Sequence, residues 1–84
     1  MEFIFPTKDE IIEFFNTRHG FFSVLDIATA IVVPRVQRST PMDEEWKHVR
    51  KLLHELKAED FLLVEGEGGD IYHGKQGAVR YFLK

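Results

Sequence analysis

The side chains best suited to chemistry in this chain are basic, and they fall in three places. Lys47 and Lys51 stand one helical turn apart in "DEEWKHVRKLLHELKA", with Arg50 beside them. Two ammonium groups at that spacing face one side, where they can neutralise two phosphates or meet a guanine edge. Arg35 and Arg38 lie in "PRVQRS", with no acid near them in the segment, and suit backbone phosphate contacts. Lys75 and Gln76 in "GKQG" can add one charge and one neutral donor. The candidate nucleic-acid-binding set is therefore Lys47, Arg50, Lys51, Arg35, Arg38, Lys75 and Gln76. Asp43-Glu44-Glu45 stands against it, because acids at the start of a helix entering a groove meet phosphate repulsion unless they accept from a cytosine amino group. Those acids can simply complement the helix dipole. The two lysines can then form a solvated face, paired with Glu44, His54 or Glu55 at helical spacing. Both readings stay open at this level.

Other chemistries find no support. There is no cysteine, hence no disulfide framework and no thiolate. His48 and His54 are six residues apart, on different faces of a helix, and no carboxylate completes a ligand set with either. His73 reads as an exposed loop residue. "GEGGD" does not carry a strand into a helix, as a phosphate-binding loop must. No metal, no cofactor and no catalytic residue is expected, so the chain reads as a non-enzyme. Tyr72 alone is too little for stacking on single-stranded nucleic acid.

The 84 residues suffice for one small domain, residues 1–84, with one core. A hydrophobic fraction of 44% and a charged fraction of 30% are ordinary for a soluble globular protein, and eight Phe, two Tyr and one Trp supply bulky core material. The net charge of −3 excludes a strongly basic nucleic-acid binder and leaves room only for a local basic face. No apolar run approaches a membrane span. "MEFIFPTKDE" lacks the basic start and long apolar centre of a signal peptide. Together with the missing cysteines, this fits a cytoplasmic protein.

The elements that must position the basic residues follow from local signals. Thr7-Lys8-Asp9-Glu10 has the form of a capping box and opens a helix over about residues 8–18, with Ile11, Ile12 and Phe15 on one face and Phe14 off it. Gly20 ends it. Phe21-Phe22 is long enough only for a bridging strand. Ser23-Val24-Leu25-Asp26 caps a second helix over about residues 24–32, with Val24, Ile27, Ala28 and Ile31 inward, and Pro34 stops it. Thr40 reads as the N-cap and Pro41 as the first residue of a third helix over about residues 41–58. Met42, Trp46, Val49, Leu53 and Leu56 form its apolar stripe, with Leu52 at the margin. Phe61-Leu62-Leu63-Val64 is a strand, and "AVRYFLK" returns beside it with Val79, Tyr81 and Leu83 on one side. Phe3, Ile4 and Phe5 show no amphipathic period. They can pack on the domain or serve self-association, and so small a core favours packing.

"FFSVLDIATAI", "TPMDEEWKHVRKLLHELKAEDFLLVE" and "VRYFLK", in that order, resemble the winged helix-turn-helix superfamily over essentially the whole chain. "LHELKAEDFLLVE" is the most typical piece; many relatives place Gly where this chain has Asp60, which also tolerates a left-handed turn. The connection between the second and third helices, about nine residues, is longer than the compact turn of about three or four. The resemblance implies an α+β fold, three helices packed on a small antiparallel sheet with a C-terminal β-hairpin wing. It implies duplex DNA as the partner and a role as a small transcriptional regulator, with the long helix in the major groove and the wing on the backbone. The acidic balance and the acidic start of the third helix support an alternative, a protein-interaction adaptor that binds a protein partner without DNA. A homodimer is compatible with either.

Overall fold

Short-range capping starts the first two helices where the sequence places them. The computed structural model describes residues 3–66 and 79–84. Helix α1 spans Lys8–Thr17: the Thr7 hydroxyl accepts from the Glu10 N–H at 3.2 Å, and the Glu10 carboxylate accepts from the Thr7 N–H at 3.3 Å. Each pairing satisfies a donor that has no partner inside the helix. Helix α2, Val24–Val32, repeats the device with Ser23 and Asp26. Between them Gly20 sits at φ 127°, a conformation that side chains with a Cβ rarely adopt. Helix α2 passes directly into a short 3-10 turn, Val33–Arg35. Pro34 has no N–H to donate, so the α-helical ladder cannot continue.

Helix α3 spans Asp43–Ala58 and starts later than its sequence signals suggest. Its N-cap is Met42, not Thr40, and Pro41 lies outside the helix. The cause is Glu45, whose carboxylate accepts from the Met42 N–H at 2.8 Å. The side chain three positions into the helix thus reaches back to cap its entrance, and the Thr40 hydroxyl is not needed. The far end closes on a Schellman motif: the Phe61 N–H donates to the Leu56 carbonyl at 2.9 Å and the Asp60 N–H to the Lys57 carbonyl at 3.0 Å. Asp60 takes the left-handed conformation this requires, at φ 67°.

Strands β1, Leu62–Glu65, and β2, Arg80–Leu83, pair antiparallel with Leu62 opposite Leu83, Leu63 opposite Phe82, Val64 opposite Tyr81 and Glu65 opposite Arg80. Phe22 adds a bridge on the other side of β2: its N–H donates to the Tyr81 carbonyl at 2.8 Å, and the Tyr81 N–H donates back at 2.7 Å. Three helices and this antiparallel pair make an α+β, winged-helix-like layout. No described helix is long and apolar enough to cross a membrane.

One core joins all the elements. Ile11, Phe15, Val24, Ile27, Ala28, Trp46, Val49, Leu53, Leu56, Leu62 and Tyr81 are buried in it, and Val79 and Leu83 pack on it from the sheet. Phe14 is buried too, contrary to the expectation that it lies off the inward face of α1. Its ring meets Phe22 edge-on at 5.0 Å and Phe15 at 5.4 Å, and the Arg18 guanidinium covers it at 4.6 Å. The bridging segment, which no helical periodicity can anticipate, gives Phe14 its partner. Leu25 stays exposed, as its position in α2 suggests. The segment before α1 crosses the start of α3. Phe5 meets the His48 ring edge-on at 5.1 Å, and His48 Nε2 lies 2.8 Å from the Pro6 carbonyl. That carbonyl can only accept, so Nε2 carries the proton. Of the three residues expected to pack on the domain, Ile4 is half-buried, whereas Phe3 and Phe5 are exposed; the buried residue of this segment is Pro6.

Candidate nucleic-acid interface

Helix α3 turns its apolar stripe to the core, and that packing decides where its charges point. Lys47 and Lys51 are exposed on the opposite face, one turn apart, and neither joins an ion pair among the described residues. Arg50 is half-buried at the edge of that face. Its guanidinium lies 5.2 Å from the centre of the Trp46 ring, a cation–π contact that leaves its charge at the surface while its stem covers the core. Lys57 is exposed on the same flank, seven residues further along. The sequence reading missed it, although the spacing from Arg50 is two helical turns and was there to be used.

Most other described cations near the helices are already neutralised within the chain. Lys8 lies 3.1 Å from Glu55 and 2.8 Å from Glu59, which ties α1 to the end of α3. Lys84 pairs with Asp60. Arg35 pairs with Glu10, and this holds the Glu10 carboxyl below its ordinary range. The view of Arg35 and Arg38 as remote from acids is therefore corrected: folding brings an acid to each.

Arg38 is the more consequential case. Its two terminal nitrogens donate to the two oxygens of Glu45 at 2.8 and 2.9 Å, a bidentate pair. One of them also reaches the Thr40 carbonyl at 3.3 Å. Glu45 is fully buried. Besides Arg38 and the Met42 N–H, it accepts from the Ile4 N–H at 2.6 Å. One carboxylate thereby holds the loop after α2, the entrance of α3 and the segment before α1. The Arg38 guanidinium, helped by the two backbone donors, outweighs the cost of burial and holds the Glu45 carboxyl down to about 2. Of the acidic trio at the start of α3, only Asp43 and Glu44 remain on the surface. A signal for Glu45 did exist. It stands three residues after Met42 and four before Val49, so it lies on the apolar stripe, where a charge must find a partner.

A groove of about 600 Å³ runs between the end of α3 and the hairpin, lined by His54, Lys57, Ala58, Val64, Gly66, Val79 and Tyr81. A second, of about 410 Å³, lies between α1 and the end of α2 and has Arg35 and Arg18 on its rim. Lys75 and Gln76, with Tyr72 and His73, lie outside the described residues. Among the described residues no three His, Asp or Glu side chains come together as a metal would require. The arrangement thus gathers Lys47, Lys51, Arg50 and Lys57 on the exposed side of α3, with Glu44 on the same side one turn before Lys47, beside a groove. Comparison with protein-family models, with curated proteins and with solved structures found no match.

Proposed function

We propose that the chain is a winged helix-turn-helix domain that binds duplex DNA, as a small transcriptional regulator. The observation that carries this reading is the segregation of charge. Lys8, Arg35, Arg38 and Lys84 are matched by acids of the chain itself, whereas Lys47 and Lys51 face outward from the long helix with no ion-pair partner among the described residues. Cations left unmatched on one helix face suit an anionic partner that supplies the missing charge. In this reading Lys47, Lys51 and Arg50 meet the groove, and Lys57 meets a phosphate. Arg35, exposed beside Glu10, adds a phosphate contact at the periphery while keeping its ion pair, and Lys75 and Gln76 add contacts from the wing. Arg38 has a different part. Moving it to a phosphate would leave the buried Glu45 carboxylate uncompensated, so it holds α3 at its working angle instead.

The reading is tested by measuring affinity for a randomised duplex pool across a salt series. With about three to five phosphates neutralised, the slope of log affinity against log salt should be shallow, roughly −3 to −4. Reversing Lys47 and Lys51 to Glu should abolish binding and leave the melting curve in place, since both side chains point away from the core. Absence of binding to any duplex at low salt, where attraction is strongest, would overturn the proposal.

A second reading rests on Asp43 and Glu44, exposed at the start of α3, and on the net charge of −3. Both suit an adaptor that presents the same helix to a basic protein surface. The low-salt experiment separates the two, because the adaptor gives no duplex binding at any ionic strength.

A further inference from the structure

The sheet has two faces, and only one of them belongs to the core. Leu62, Tyr81 and Leu83 point inward, and the alternation of a strand sends their neighbours outward. Phe61 is 48% exposed, Leu63 45% and Phe21 40%. Phe82 stands opposite Leu63, and its ring lies 4.9 Å from that of Phe21. These four side chains form a continuous apolar patch at the opposite side of the sheet from the core. Glu65 and Arg80 border it at one end and Lys84, paired with Asp60, at the other.

We propose that this face joins two copies of the chain. The charge pattern selects a second copy as the occupant. The outward row along β1 reads Leu63, Glu65 with Phe61 just before the strand, and that along β2 reads Phe82, Arg80 with Lys84 just after it. A two-fold axis running parallel to the strands, between β1 and β2 and in the plane of contact, lays each row on the other row of the partner copy. Leu63 then meets Phe82, Phe61 meets the aliphatic stem of Lys84, and Glu65 meets Arg80, twice over by symmetry. Leu63, Phe82 and Phe61 each meet an apolar surface, and Glu65 meets a base. No like charges are brought together. The same rotation keeps the strands of the two sheets aligned, as face-to-face sheets about 10 Å apart require. The helices lie on the outer sides of such a dimer, so both copies of Lys47 and Lys51 stay exposed. A patch of four side chains makes a small interface, and the association is accordingly weak and concentration-dependent.

Sedimentation equilibrium of the full chain, without DNA, over a wide concentration range is the test. The wild type should pass from monomer to dimer. Glu65→Arg and Arg80→Glu should each weaken association about tenfold or more, because each places like charges across the two-fold axis. Mixed one to one, the two variants should dimerise as the wild type does, since the mixed pair restores opposite charges at both positions. Local weakening of the hairpin by either substitution cannot produce that rescue. A wild type that stays monomeric at every concentration overturns the proposal and leaves the face to a different protein. So does a mixture that associates no better than its separate components.

Discussion

Glu45 is the residue on which most of the molecule's polar organisation converges. It is fully buried, it receives both terminal nitrogens of Arg38, and it takes the N–H groups of Ile4 and Met42. Replacing such a pair with apolar residues can be neutral in other proteins, but here the carboxylate also satisfies two backbone donors that an apolar side chain would leave stranded. Arg38→Ala is therefore expected to destabilise the fold by about 3–5 kcal/mol, through an uncompensated buried charge. Reversing Lys47 and Lys51 should change stability by no more than about 1 kcal/mol, and denaturant titration compares the two. The pH dependence has a definite sign. The Glu45 carboxyl lies at about 2 in the folded protein against 4.5 ordinarily, so the unfolded chain binds the proton first as pH falls. The stabilisation is complete above the ordinary value and is lost as pH drops from there toward the folded value, up to roughly 3 kcal/mol. Melting temperatures of Glu45→Gln should fall less steeply across that window than those of the wild type. Parallel curves would show that other carboxylates govern the acid limb; Glu10, lowered by Arg35, acts in the same direction in both proteins.

Among the elements, the end of α3 shows how a local backbone requirement is met by a residue that is not the best one for it. Asp60 occupies the left-handed position of the Schellman motif, at φ 67°. For an ordinary L-residue that conformation costs roughly 1–2 kcal/mol, which Gly avoids and Asp partly avoids. Its ion pair with Lys84 is exposed and contributes little. Asp60→Gly should thus match or exceed the wild type in melting temperature, and Asp60→Val should fall below the Gly variant by about 1–2 kcal/mol. Equal stability of the Gly and Val variants would mean that the helix ends in some other way in solution. The entrance of α3 teaches the complementary lesson. Thr40-Pro41 has the composition of a helix start, yet the helix begins at Asp43 because Glu45 caps Met42 while being held by Arg38. A tertiary ion pair overrode a local preference.

For the whole molecule, stability depends on a single core to which the three α-helices and the two strands all contribute. Trp46 stands 5% exposed within it, and the Arg50 guanidinium covers its ring. Trp46→Ala should cost about 3–5 kcal/mol as a cavity substitution, and a domain this small has little reserve against such a loss. Loss of cooperative thermal unfolding is the expected outcome. A variant that melts like the wild type would place Trp46 outside the core and shift the outward face of α3 away from Lys47 and Lys51. The DNA-binding proposal thus hangs on the same register as the core.

The order of the three helices and two strands, the ends of α1 and α2, the Phe22 bridge and the inward stripes of α2 and α3 were legible in the sequence, because capping boxes, glycine exits and apolar periodicity act between residues a few positions apart; the start of α3 was not. The outward placement of Lys47 and Lys51 follows from the same periodicity. Tertiary structure alone decided which charges remain available. Arg35 meets Glu10 across a separation of more than twenty residues, and Arg38 meets a carboxylate that the helix buries. It also decided that Phe14 is core, through Phe22, and that Phe21, Phe61, Leu63 and Phe82 share one exposed face. A pattern along the chain shows which side of its own element a residue occupies. Which residue waits on the facing element is settled only when long-range packing closes, and ion pairing and surface exposure both depend on that neighbour.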